Sequence, residues 1–297
     1  MKEIDIPMID IELVRGCNLH CNFCTVDHIK RLQFMEVALL ESILVECRKY
    51  RIGYRRLSLF LGGEPLLHPK FPRILEILRQ QDLLSRGFSL VQLFTNGTVK
   101  PEWYEFMVNS GAITLVRFSI DGCGDASTFE YMRAPAKWDT VLLNLKKMVD
   151  LRNKYRSDMS VRVTSLIPYG KFVPFSVPPY EEAKRRMDAA LLPLGVDSIG
   201  YRKVGTLVGY QMDLPYDYYD HKRTCLLVKD RKIVVNFDGT VSTCSNDLNC
   251  NQPLSHISEG GLIGAWQSSR FQTFLQAKIA GEKIPLGYCQ ECDLNYI

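Results

Sequence analysis

The 297-residue chain has no long hydrophobic run, and nothing in it approaches the roughly 18 consecutive apolar residues that a membrane-spanning helix needs. Its first residues, among them Asp5, Asp10 and Glu12, lack the charged-then-apolar layout of a secretory signal, so a cytoplasmic protein is expected. Nor is there an excess of charge of one sign. Lys and Arg number 37 against 33 Asp and Glu, a net charge of +4. Short basic groups such as Lys184-Arg185-Arg186 and His221-Lys222-Arg223 read as solvated faces, and neither nucleic acid nor a membrane is expected as a partner. Internal repeats and low-complexity segments are missing too. With 46% hydrophobic and 24% charged residues, 20 Gly and 14 Pro, the composition is that of a globular enzyme and excludes collagen-like, coiled-coil and disordered chains.

What is present is an alternation. Ile9 to Val14, Leu57 to Leu61, Phe88 to Phe94, Ile113 to Ile120, Met159 to Ile167 and Val196 to Tyr201 read as strands. Between them, Met35 to Tyr50, Pro72 to Gln81, Pro101 to Asn109, Trp138 to Lys154 and Pro179 to Leu192 read as helices. Such alternation implies an α/β protein with a parallel sheet and right-handed crossovers, whose sites lie at the carboxyl ends of the strands. Around residues 205 to 222 the pattern stops and Gly, Asp and Tyr take over, which sets a boundary between residues 1–215 and 216–297. Beyond it, Lys232 to Phe237 and Thr240 to Cys244 read as a hairpin turned at Asp238-Gly239, followed by a helix from Ile263 to Ala280 and a cysteine-bearing tail.

Ten cysteines without a secretory signal point to metal or redox chemistry rather than to a disulfide framework. Cys17, Cys21 and Cys24 place three thiols within eight residues, directly after the first strand. Thiolates are soft ligands for iron–sulfur clusters or zinc. Three of them can hold three irons of a [4Fe–4S] cube and leave the fourth iron open. The same loop with His20 or His28 as a fourth ligand would instead suit zinc. Cys47, on an amphipathic helix, reads as a small buried hydrophobe.

The Cys-x3-Cys-x2-Cys spacing, with Phe23 before the last cysteine and Leu61-Gly62-Gly63-Glu64-Pro65 after the second strand, resembles the radical SAM superfamily. The resemblance implies a partial (β/α)6 barrel. It also implies that the open iron chelates S-adenosylmethionine and that one electron cleaves it to methionine and a 5′-deoxyadenosyl radical. It gives Gly62 and Gly63 the methionine amino group, Glu64 a carboxylate beside that ammonium, and Phe23 the adenine. Ser119 and Asp121 then contact ribose and methionine, Arg133 pairs with the methionine carboxylate, and Asn96 faces the same mouth. An external electron donor such as flavodoxin or ferredoxin is implied as a partner.

Cys225, thirteen residues, Gly239, four residues and Cys244 resemble the opening of the SPASM/twitch pattern, with Cys289 and Cys292 as a second pair. The resemblance implies a small twitch-like hairpin-plus-helix domain in which Cys225, Cys244, Cys289 and Cys292 hold one auxiliary [4Fe–4S] cluster, two clusters in all. A four-cysteine cage of structural zinc is the alternative. Across the chain the layout is similar to the 2-deoxy-scyllo-inosamine dehydrogenase group, which implies a radical oxidoreductase acting on a secondary alcohol of a small polyol, sugar or aminocyclitol. Arg202, after the sixth strand, then orients the substrate, with proton transfer as its alternative role. Radical modification of a ribosomal peptide, and a non-catalytic metal-binding module, are the alternatives. Sixteen residues ahead of Cys17 leave no room for an N-terminal peptide-recognition domain, which weighs against the peptide. Cys250 is a spare, to be read as a surface thiol, an alternative ligand or a hydrogen-atom donor, and in an epimerase Cys123 or Cys250 would return the hydrogen atom.

Overall fold

The computed structural model describes residues 5–24, 26, 31–99, 101–155, 157–168, 173–203, 231–242, 244–245 and 247–280. In chain order they form β1 (Met8–Ile11), β2 (Val14–Arg15), β3 (Gln33–Phe34), α1 (Val37–Tyr50), β4 (Arg56–Leu59), α2 (Phe71–Gln81), β5 (Val91–Thr95), α3 (Glu102–Ser110) and β6 (Leu115–Ser119). There follow α4 (Ala126–Met132), α5 (Trp138–Lys154), β7 (Ser160–Ile167), α6 (Tyr180–Leu191), β8 (Ser198–Lys203), β9 (Lys232–Val235), β10 (Thr240–Ser242) and β11 (Ser255–His256). Two helices, α7 (Gly261–Gln267) and α8 (Ser269–Ile279), complete the described residues.

Six strands, β1 and β4 to β8, run parallel side by side, as the alternation of strands and helices requires. Their outer-face residues Ile9, Ile11, Leu57, Leu59, Leu93, Val116, Phe118, Val161 and Val163 are fully buried in the core they share with the helices. Each such side chain contributes about 1.5–3 kcal/mol by leaving water. The other face carries polar residues, among them Asp10, Ser58, Gln92, Arg117 and Arg162. A strand buried under helices on both sides would not tolerate this pattern, so this face is the inner wall of an incomplete barrel.

The C-terminal hairpin extends this same sheet. β9 pairs parallel with β1, β10 pairs antiparallel with β9 and β11 with β10, so the order is β11-β10-β9-β1-β4-β5-β6-β7-β8. The boundary near residue 215 lies outside the described residues.

Three local features differ from the sequence expectations. The first strand stops at Ile11, and Val14–Arg15 turns aside to pair with Gln33–Phe34, closing the base of the cysteine loop. The stretch after Asp121 holds an extra helix, α4, whose N-cap is Asp125: its carboxylate accepts from the Thr128 N–H at 2.8 Å. The single helix expected over Ile263 to Ala280 is two. Ser268 is extended (φ −55°, ψ 141°), and its Oγ accepts from the Phe271 N–H at 3.3 Å, starting a second helix.

Candidate functional site

The carboxyl ends of β4, β5 and β6 bring the motif residues to one mouth. Gly16 forms a bridge with Gly63, and its carbonyl accepts from the Glu64 N–H at 3.3 Å, which lays the Gly-Gly-Glu turn along the start of the cysteine loop. A Cβ at Gly63 would stand 2.2 Å from the Val14 carbonyl oxygen and 2.3 Å from that of Gly16, so only glycine permits this approach. At Gly62 a Cβ would stand 2.6 Å from a Glu12 carboxylate oxygen, which accepts from the Gly62 N–H at 3.0 Å.

Glu64 is buried and uses its carboxylate within the protein. Oε1 accepts from the Leu66 N–H at 3.1 Å and from Thr95 Oγ1 at 3.0 Å, and Oε2 accepts from the Asn96 N–H at 2.6 Å. Burial nevertheless pushes this carboxyl up to about 7. Asn96 in turn donates from Nδ2 to Asn18 Oδ1 at 2.9 Å and to the Cys17 sulfur at 3.4 Å. Thr95, Asn18 and Thr98, which completes the ring by accepting from Asn18 Nδ2 and donating to Asn96 Oδ1, carried no signal in the sequence beyond the turn residues themselves.

On the other side of the loop stand Asp121 and Arg133. Arg133 Nε donates to Asp121 Oδ2 at 2.6 Å, and Asp121 Oδ1 accepts from the Leu166 N–H at 2.7 Å. Burial works against the Arg133 charge, yet Asp121 and the neighbouring thiols hold it protonated above its ordinary value. Its guanidinium carbon lies 5.5 Å from the Phe23 ring centroid. Only Nε is hydrogen-bonded among the described residues, so the four terminal N–H donors remain for an anionic ligand. The segment also docks the cysteine loop: the His20 N–H donates to the Ala134 carbonyl at 2.7 Å and the Asn22 N–H to the Met132 carbonyl at 3.2 Å. Ser119 is half-buried at the end of β6, and Arg202 is exposed on β8, level with Leu166.

Cys17, Cys21 and Cys24 are free, half-buried thiols in this loop. Burial pushes Cys21 up to about 12, with Asp121, Cys24 and Cys17 adding to the shift and Arg133 opposing it. Burial raises Cys17 and Cys24 as well. Thiolates at these places need a bound soft cation, which is the chemistry of an iron–sulfur ligand set. Among the described residues no three His, Cys, Asp or Glu side chains converge on a point for a single ion. Ligands of an iron–sulfur cube each bind a different iron, whereas zinc gathers its sulfurs about 2.3 Å from one centre. The glycine cradle, the thiol loop and the free guanidinium donors of Arg133 together fit an iron–sulfur cluster with an amino-acid-like ligand.

The C-terminal site is described in part. Cys244 is half-buried just past β10, whereas Cys225, Cys289 and Cys292 lie outside the described residues. The loop after Cys244 reaches the first site. Asn236 accepts from Arg15 at 3.2 Å and donates to the Cys250 sulfur at 3.1 Å, while Arg15 and the Phe237 N–H both bond Glu12.

Residues 11–171 match the radical SAM superfamily, and residues 225–293 match the SPASM iron–sulfur cluster-binding domain. Over 96% of this chain and 86% of the relative, the sequence is 24% identical to the tungsten-containing aldehyde ferredoxin oxidoreductase cofactor-modifying protein of Pyrococcus furiosus. The first curated relatives align over part of the chain only, which spans 33–41% of their length. Among solved structures, BtrN in complex with AdoMet and 2-DOIA is similar over 99% of this chain and 93% of that one (TM-score 0.58, 16% identity). Streptococcus suis SuiB bound to its precursor peptide SuiA is similar over 98% and 70% (TM-score 0.69, 14% identity). These two share the fold. With more than half of its length matched, the chain belongs to the radical SAM superfamily, carries an iron–sulfur cluster-binding domain behind its barrel, and has S-adenosylmethionine and [4Fe–4S] clusters as its cofactors.

Proposed function

We propose that the chain is a radical SAM oxidoreductase that removes two electrons and two hydrogens from a secondary alcohol of a small polyol, sugar or aminocyclitol. With S-adenosylmethionine and an auxiliary cluster bound, the cofactors would supply removal of a hydrogen atom from the carbinol carbon and uptake of the last electron, while the hydroxyl proton would leave to solvent or a base. The observation that carries the reading is the division of the cysteines into one three-thiol loop at the barrel mouth and a separate C-terminal group. A cluster with four cysteine ligands has no open iron and suits an electron acceptor. The fold shared over nearly its whole length with a structure holding AdoMet and 2-DOIA supports it.

When bound, the reduced cluster supplies the reductive cleavage of S-adenosylmethionine. The residues of this chain divide the rest of the work. Cys17, Cys21 and Cys24 hold the first cluster, and Cys225, Cys244, Cys289 and Cys292 the second. The backbone of Gly62 and Gly63 admits the amino group, with Glu64 fixing the turn beneath it through its bonds to Leu66 and Asn96. Arg133, oriented by Asp121, offers its free donors to the carboxylate, and Phe23 covers the adenine. Asn96 steadies the cysteine loop through Asn18, Ser119 lies on the approach to the ribose, and Arg202 orients the substrate. Flavodoxin or ferredoxin serves as electron donor.

The test is anaerobic reconstitution followed by mass spectrometry of candidate substrates. About eight irons per chain and a product lighter by two mass units are expected. Cys17→Ala abolishes 5′-deoxyadenosine formation, while Cys289→Ala keeps SAM cleavage and blocks net oxidation. Unchanged product from Cys289→Ala overturns the electron-acceptor assignment. The likeness to a structure bound to a precursor peptide favours peptide modification as the second reading. Solvent deuterium uptake without mass loss in light water marks epimerisation and decides for it.

A further inference from the structure

Strand register lines up Arg202 with two further cations, Arg117 and Arg162, that the chemistry above leaves unused. Phe94 pairs with Arg117, Arg117 with Arg162, Ser119 with Thr164, Thr164 with Gly200, and Leu166 with Arg202. Residues two apart on a strand share a face, so all of these line the inner wall formed by β6, β7 and β8. Arg117 is fixed there: Nε donates to Gln92 Oε1 at 3.2 Å, and the guanidinium lies 5.7 Å from the Phe94 ring centroid. Arg162 Nε donates to Ser160 Oγ at 3.0 Å.

No carboxylate among the described residues pairs with Arg117, Arg162 or Arg202. The three also repel one another. Burial, with the Arg162, Arg202 and Arg56 guanidiniums adding to it, holds Arg117 below its ordinary value. Between the level of Arg162 and that of Arg202, four residues or about 13 Å along the strands, lies the Ser119–Thr164–Gly200 row. Neither hydroxyl of that row is hydrogen-bonded within the described residues, and a Cβ at Gly200 would meet nothing closer than 3.9 Å. The Thr164 hydroxyl and the open space over Gly200 thus sit between guanidiniums long enough to reach in from both ends.

We propose that the substrate carries an oxyanion, a phosphate ester or a carboxylate, seated over Thr164 and Gly200 and held by Arg162 and Arg202 with Arg117 behind them. The inference rests on the reading of this barrel as a small-molecule oxidoreductase and narrows its substrates. An ammonium-bearing aminocyclitol would meet three like charges, and a neutral polyol would leave them uncompensated. A planar guanidinium stays charged and binds carboxylate or phosphate through two parallel N–H donors, so Arg202 serves to anchor the anion rather than to carry a proton.

The experiment is calorimetric binding to the reconstituted, SAM-saturated, unreduced protein, with a matched series: sorbitol 6-phosphate, gluconate, sorbitol and glucamine. Both anions are expected to bind at least tenfold more tightly than sorbitol, with glucamine weakest; the ratio of the first two identifies phosphate or carboxylate as the preferred group. Arg162→Gln and Arg202→Gln each remove most of that preference, Arg162→Lys keeps part of it, and SAM affinity is unchanged throughout. Arg185→Gln, on the exposed face of α6, leaves every affinity as it was. Equal binding of sorbitol and the anions, preference for glucamine, no saturable anion binding, or an anion preference that survives both glutamine variants overturns the proposal. SAM cleavage measured on the same preparations reports separately on the enzyme assignment, so either can fail alone.

Discussion

Arg56 and Lys232 flank Asp10 on one side of the inner wall, 3.7 and 3.1 Å from its carboxylate, and Arg15 bonds Glu12 at 2.8 Å beside them. On the other side, Arg117, Arg162 and Arg202 face no carboxylate among the described residues. Both sides belong to one sheet and present residues of the same face. The difference lies in what each cation compensates. The paired side is closed within the protein and joins the C-terminal hairpin to the barrel; the unpaired side leaves its charge for something that enters the lumen.

The comparison breaks most visibly at Asp10. Asp10→Asn leaves Lys232, whose side chain is 5% exposed, without its anion. Losing one partner of a buried pair costs about 3–5 kcal/mol, read from urea unfolding of the apo chain. A cost below about 1 kcal/mol would mean that the pair is not what holds β9 to β1.

Glu64 sharpens the contrast, because neutral donors rather than a salt bridge hold its carboxylate. Its folded value of about 7 stands above the ordinary 4.5. As pH rises from 4.5 to 7 the unfolded chain loses its proton first, so apo stability falls across that window, by about 3 kcal/mol in total. Stability is fully present below the lower value, and Glu64→Gln should flatten the profile between pH 5 and 7.5. A profile that rises with pH contradicts the raised carboxyl.

On the unpaired side the expected sign reverses. Arg162→Gln relieves repulsion and should leave stability unchanged or raise it by up to about 1 kcal/mol. A loss larger than that would reveal a structural partner. The smallest effect belongs to the exposed Arg73–Glu76 pair, where Arg73→Ala should cost less than about 0.5 kcal/mol and vanish in high salt.

The parallel strands and most helices were legible because hydrophobic alternation and turn residues set them locally. The cysteine loop and Gly62-Gly63-Glu64 were legible because their spacing is tied to one chemistry. The Glu64–Asn96–Asn18 ring was not, since it joins residues from three separate loops through polar contacts that leave no periodicity. Helix α4 escaped notice despite its Asp125 cap, because seven residues give too little periodicity to read. The arginine row did leave a trace in Leu-Val-Arg-Phe-Ser and Val-Arg-Val-Thr, where a charge interrupts strands otherwise suited to burial. Seeing that the two arginines are neighbours required the register of β6 against β7.

The parallel pairing of β9 with β1 also bears on how the chain is made. Met8 and Lys232, which lie side by side, are more than two hundred residues apart in sequence. At about 5–20 residues per second of synthesis, β1 waits roughly 10–45 s on the ribosome for its neighbour. During that wait its edge is open to other chains. Asp10, with only Arg56 beside it until Lys232 is made, puts a charge within that apolar strand and makes mispairing costly. Its carboxylate would then guard the nascent chain before it bridges the finished one.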